Sequence, residues 1–277
     1  MKQEKRRGLI IGIIAILASI VIFLVPFAFI LLTASKTVKD SSDLAFSLPQ
    51  QFVLFENIST VLRTSEAVVL RAFINSTTLT VTSVIIMVIL AAMAGYILDR
   101  RQSRWNTVAN FFVLAGLIVP PAVVPTIWVL QTLGLFKTMP GMILIEVTFG
   151  LSFSILLFKS FVSSIPRELD EAAIVDGAGP LRLFFSVILP LLKPVVVTVV
   201  VVQAVAVFND FQNPLYFLPG NDGVTVQLTL YNFQSQTLNQ WNLLFTDILL
   251  ITIPPLVMYM FFNRQIVEGM TAGAVKG

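Results

Sequence analysis

The sequence predicts an all-α membrane protein with about six transmembrane helices, both termini cytoplasmic, and an amphipathic cytoplasmic connection between the fourth and fifth spans. Three observations carry this reading. The 277 residues are 56% hydrophobic and 12% charged, with a mean hydropathy of +0.89, whereas a soluble domain carries about 25% charged residues. Apolar stretches long enough to cross a bilayer recur along the chain. Lys and Arg are shared unevenly between the connections.

The spans follow in order. A helix needs about 20 mostly apolar residues to cross the ~30 Å hydrocarbon layer. The first candidate runs from Leu9 to Leu32 and follows the basic residues Lys2, Lys5, Arg6 and Arg7. It is far longer than the apolar part of a cleaved leader and lacks an obvious Ala-x-Ala-like site, so a retained anchor is expected. The second covers Phe73 to Leu98, after an outer loop from Ser35 to Arg71. The third, Val108 to Leu133, is interrupted by Pro120, Pro121 and Pro125. The fourth runs from Gly141 to Val162, the fifth from Pro194 to Phe208, and the sixth from Leu243 to Phe262 with Pro254 and Pro255 inside it. Residues 1–277 are read as one transmembrane domain.

Orientation follows from the basic residues, which gather on the cytoplasmic side of a membrane. With the N-terminus inside, Arg100, Arg101, Arg104, Lys159, Arg167, Arg182, Lys193, Arg264 and Lys276 join the four N-terminal ones there. The outer parts hold the smaller share: Lys36, Lys39, Arg63, Arg71 and Lys137. An even number of spans agrees with two cytoplasmic termini.

Composition also excludes chemistry. With Cys 0 and His 0, there is no disulfide, thiolate nucleophile or histidine triad, and no metal site is expected. The net charge of +3 does not point to nucleic acid, because the basic residues lie between apolar runs rather than on one face. A Gly-x-x-x-x-Gly-Lys-Ser/Thr phosphate loop is absent, so ATP hydrolysis by this chain is not expected.

The connection at 163–193 is the informative one. Pro166 suits the first turn of a helix, and Glu168, Asp170 and Glu171 lie where the helix dipole favours acids. Leu169, Ala172, Ala173 and Asp176 fall on one helical face. Gly177 and Gly179 permit a sharp bend, and Pro180 can open a second short helix. Small alanines let another backbone approach, and Glu171 and Asp176 offer charge to a basic partner. An interfacial helix lying on the bilayer is the competing reading, but such helices carry Lys or Arg above bulky apolar residues. Docking to another protein fits this acidic, small-residue segment better.

Here a resemblance becomes specific. Glu171-Ala172-Ala173-Ile174-Val175-Asp176-Gly177-Ala178, continuing through Phe184 and Phe185 to Ile188-Leu189-Pro190, resembles the EAA signature of bacterial ABC importer permease subunits. The tail, Gly269 to Gly277, resembles that of the carbohydrate branch, the maltose-type second permease subunit. Phe73-Ile74-Asn75-Ser76, Ala94-Gly95-Tyr96 and Phe208-Asn209-Asp210-Phe211 are similar to that branch as well.

The resemblance implies the permease fold, a bacterial inner or plasma membrane location, and a transport subunit rather than an enzyme. It implies that Glu171, Ala172, Ala173, Asp176, Gly177 and Ala178 contact a separate ATPase, and that Thr271, Ala272, Gly273, Lys276 and Gly277 in the tail 269–277 reach it too. The implied partners are a second, distinct permease, two ATP-binding cassette subunits holding ATP and Mg, an extracytoplasmic solute-binding protein, and membrane lipid. This chain would bind no cofactor of its own.

Glu146 and Asp247 are acids inside apolar runs, which makes them functional candidates by default. Each lies about five residues, roughly 7 Å, inside the outer end of its span, where a carboxylate can also reach interfacial water. Together with Asn209 and Asp210 they are candidates for the translocation path. Asn209 and Asp210 could instead cap the fifth span. Two readings stay open beside the sugar permease: an ion-coupled secondary transporter using Glu146 and Asp247, and an ABC permease for a non-sugar solute.

Overall fold

The computed structural model describes residues 2–101, 103–220, 223–230 and 240–274. Every regular element among them is helical. Four helices contain segments long and apolar enough to cross a bilayer: Ala15–Ala34 within α1 (Lys2–Ala34), Val68–Arg100 within α3 (Leu54–Arg100), Met139–Val162 (α6), and Trp241–Phe262 within α12 (Trp241–Ala274). The remaining two expected spans are bent pairs. α4 (Arg104–Ile118) and α5 (Val123–Thr132) meet at 119°, and Pro180–Leu191 meets α10 (Lys193–Phe208) at 78°. A six-span protein is therefore the count in which each bent pair serves as one span.

Both bends have local causes. Proline lacks an N–H and pushes the residue before it into extended backbone. Val119, ahead of Pro120 and Pro121, is extended at φ −77°, ψ 120°, and it ends α4. Pro125 sits in the first turn of α5, where no intrahelical donor is lost. The third stretch is thus broken rather than merely kinked. In the fifth, α10 has 16 residues, about 24 Å at 1.5 Å each. That is short of the hydrocarbon thickness, and Pro194 at its start separates it from the preceding helices.

One expectation is corrected. Ser35 to Arg71 is not a loop throughout, because α3 starts at Leu54 and runs 47 residues without a break. Its early part buries Asn57, Val61, Val69 and Ala72, which recur at helical spacing. A polar helix extension beyond the apolar run carries no hydropathy signal.

The chain divides into two compact units, Met1–Leu70 with Thr229–Pro254, and Arg71–Leu228 with Pro255–Gly277. In the first, Asn57 donates to the carbonyls of Ala34 (2.8 Å) and Lys36 (2.9 Å) and accepts from Asn242 (3.0 Å). Thr246 also donates to the Ala34 carbonyl. The fully buried Lys36 ammonium donates to the Ala45 carbonyl and the Ser47 hydroxyl. Polar bonds of this kind close the end of α1, where its last carbonyls need partners. Ile16, Leu17, Val21, Ile22, Phe23 and Leu24 on α1 are exposed, a surface suited to lipid rather than water.

In the second unit, α3, α6 and α10 enclose an apolar core that includes Val88, Ala91, Ile155, Phe158, Ile188 and Val199. Gln203 of α10 donates to the Gly150 carbonyl (3.2 Å) and the Ser154 hydroxyl (3.1 Å) of α6. Lys159 of α6 donates to Asn110 of α4 at 2.7 Å.

Candidate functional site

The connection after α6 folds as two short helices. α7 (Glu168–Val175) follows a turn, and α8 (Pro180–Leu183) continues into a π-helical turn, Phe184–Ile188. Pro166 lies just ahead of the helix rather than in its first turn, since Arg167 is the residue that precedes Glu168 as the cap. Gly177 takes φ +82°, a left-handed angle that disfavours any residue with a Cβ. A Cβ built there meets nothing within 4 Å. The bend is therefore set by backbone angle, and the space beside it is open.

The faces of α7 differ from the sequence expectation in one respect. Glu171, Ala172, Asp176 and Gly177 are exposed. Ala173 and Ala178 instead lean on the core beneath. Leu169, Ile174, Val175 and Leu181 are exposed too, Val175 at 86%. These apolar side chains lie uncovered on an otherwise polar connection. Three exposed acids, Glu168, Glu171 and Asp176, accompany them.

The inward side of α7 is held by residues that the sequence reading did not select. Asp170 is buried, and both of its carboxylate oxygens are taken. Tyr96 donates its hydroxyl to Oδ1 at 2.5 Å, and Arg100 donates Nε to Oδ2 at 3.0 Å. Arg100 also donates to the Ile165 carbonyl at 2.9 Å and to Asp99 at 3.1 Å. The Tyr96 ring packs against Phe184, with centroids 5.9 Å apart. The last turn of α3 thus grips the connection on both sides of α7. The available signal was spacing: Asp170 and Ala173, three apart, share the face opposite Val175.

With this geometry in view, comparison with known proteins decides the family. Residues 87–272 match the family described as "Binding-protein-dependent transport system inner membrane component". The chain belongs to this family. The chain is 30% identical to the melibiose/raffinose/stachyose import permease protein MelC of Bacillus subtilis, over 96% of each chain. It is 30% identical to the diacetylchitobiose uptake system permease protein NgcG of Streptomyces coelicolor, over 99% of this chain and 91% of that one. A bacterial ABC transporter importing the polysaccharide alginate has a subunit of the same fold, at a TM-score of 0.83 and 18% identity over 95% of this chain and 98% of that one. The protein is accordingly a multi-pass membrane component of a binding-protein-dependent transport system, with the ABC importer permease fold.

The other candidate residues of this inner membrane component fall into separate places. Glu146 is buried in α6 with Asp210 as its acidic neighbour, and its Oε1 has no hydrogen-bond partner among the described residues. Asp210 accepts from the backbone N–H groups of Gln212 and Asn213 and from the Asn213 side chain, opening α11 (Gln212–Phe217). Asn209 closes α10, donating to the Val205 carbonyl and accepting from Gln227. The bonds of Asp210 thus tie down the start of α11, and the Asn209–Val205 bond the end of α10. Asp247 belongs to the other unit, where Thr229 donates to it at 2.9 Å. Thr271, Ala272 and Gly273 lie in the last turn of α12. Lys276 and Gly277 lie outside the described residues.

Proposed function

We propose that this chain is one permease half of an ATP-driven importer of sugars, in the oligosaccharide range, and that it couples to a separate ATPase through α7, Gly177 and α8. The exposed face carrying Ala172, Val175 and Asp176 is the observation that supports this reading, because small, apolar and acidic side chains lie uncovered there beside an open glycine bend. The saccharide class is supported by the names of MelC and NgcG, both sugar-uptake permeases. The family's dependence on a binding protein supports a separate extracytoplasmic receptor. In this reading the termini and the 163–193 connection are cytoplasmic, and a second, distinct permease completes the pore. Two cassette subunits bind ATP and Mg, and the C-terminal residues touch them.

The test is purification of the tagged chain from its native membrane in mild detergent, followed by reconstitution with its binding protein. We expect an ATPase and a second permease to co-purify, and raffinose or diacetylchitobiose to enter vesicles when ATP is supplied. Solute movement by the purified chain alone under a proton or sodium gradient would replace this reading with ion-coupled transport through Glu146 and Asp247. ATP-driven uptake of a non-sugar solute, with both saccharides refused, would keep the importer and remove the sugar.

A further inference from the structure

We propose that Tyr96, Arg100 and Asp170 form a latch that delivers movement of α7 directly to α3. The inference rests on the coupling role proposed for α7 and names where the movement goes.

The docking face joins the bilayer by the backbone at its two ends, through the turn at 163–167 into α6 and through the π-helical turn into α10. Within the first turn Ser163 and Ser164 donate back to Ser160 and Phe161. A further route is lateral. Asp170 sits in the first turn of α7 and gives both oxygens to α3, one to Tyr96 and one to Arg100. Arg100 holds the Ile165 carbonyl as well, and Arg167 reaches the Asp99 carbonyl at 3.4 Å. The charged pair is nearly dry, with side-chain exposures of 12% and 11% for Arg100 and Asp170. A buried pair with its hydrogen bonds satisfied is costly to part, because each charge would be left unpaired. Tyr96 is one turn before Arg100, so the two donors rise from the same face of α3. Its ring against Phe184 ties the π-helical turn after α8 to the same point. Movement of α7 therefore carries the end of α3 with it. α3 contains the Val68–Arg100 membrane segment of 33 residues, so the motion enters the bilayer through a continuous helix.

These are positioning residues: none faces the docking surface. The latch predicts that docking survives its loss while transmission fails. The experiment uses the assembled complex with Val175→Cys carrying a photoreactive thiol label, against unlatched variants Asp170→Asn, Tyr96→Phe and Arg100→Gln. We expect cross-linking from position 175 to the ATPase, complex stoichiometry and basal ATP hydrolysis to match the parent. Stimulation of hydrolysis by the loaded binding protein and uptake per complex should fall roughly tenfold, within the range of ordinary coupling energies. The double variant Asp170→Asn with Arg100→Gln should fall no further than either single one, as expected for residues acting as one unit. Tyr96→Phe removes one hydroxyl and keeps the ring on Phe184, so it serves if a charge variant fails to accumulate. Unchanged stimulation in all three, additive losses in the double variant, or a decline that only follows permease level overturns the latch. Absence of the cross-link in the parent complex removes the coupling role of α7 itself, a different failure from an intact cross-link with unaltered stimulation.

Discussion

Gly95 of α3 runs so close to Phe158 of α6 that a Cβ built on the glycine would lie 2.8 Å from the Phe158 Cβ and 2.8 Å from the Lys159 backbone nitrogen. No torsion of a flexible side chain relieves such contacts. Small residues at helix crossings let backbones approach where no hydrophobic force drives association in lipid. Gly95→Val should destabilise the pair by about 1–3 kcal/mol, the usual cost of overpacking. The expected readout is a lower thermal midpoint in detergent and less permease in the membrane, with Gly95→Ala intermediate. An unchanged midpoint for Gly95→Val would mean that α3 and α6 do not cross there.

Gly177 should behave in the opposite way. Its strain is local, about 1–2 kcal/mol for a residue with a Cβ at left-handed angles, and its surroundings are open. Gly177→Asp should leave membrane abundance near normal while abolishing uptake and the response of ATP hydrolysis to loaded binding protein. Glu171→Lys, on the same exposed stretch, should do likewise by setting like charges against a basic partner surface. Uptake per assembled complex is the quantity to compare. Normal uptake by Gly177→Asp would remove the glycine from coupling.

Asn57 tests the other unit. Its amide donates to two carbonyls and its oxygen accepts from Asn242, all buried. Asn57→Ala leaves these groups unpaired, at about 1–3 kcal/mol for a buried orphan. The thermal midpoint should drop, and protease should reach the Lys36–Ser47 stretch sooner. Equal midpoints for the variant and the parent would show that water replaces the lost bonds.

Topology can be read with single cysteines, since the chain has none of its own. Ser103→Cys and Ser164→Cys should resist an impermeant thiol reagent in intact cells, and Asp43→Cys should react. All three positions are exposed in the fold, so access is governed by the membrane rather than by packing. Labelling of Ser164→Cys from outside would invert the orientation and remove the cytoplasmic ATPase from its proposed dock.

Much of this protein is legible along one dimension. The length of an apolar run is a local property, and it places the segments of α1, α3, α6 and α12 without any tertiary information. The glycines and prolines of 166–180 likewise announce short helices with a bend, because left-handed φ and the missing proline N–H are properties of single residues. Pro120 and Pro121 announced an interruption too, but not its size. A proline breaks a helix locally, whereas the 119° between α4 and α5 depends on what each packs against.

The grip of α3 on the 163–193 connection could not be read in this way. Asp170 looked like one more acid favoured by a helix N-terminus, and Tyr96 and Arg100 like the end of a span before a basic turn. Their partnership joins residues 74 and 70 positions apart in the chain. Composition, periodicity and capping act over a few residues, so they determined the membrane class and the apolar runs, and they placed Leu169, Ala172 and Asp176, but not Ala173, on the exposed face of α7. Only the packing of α3 beside α7 brings a phenol and a guanidinium within 3.0 Å of one carboxylate, where burial makes their pairing strong.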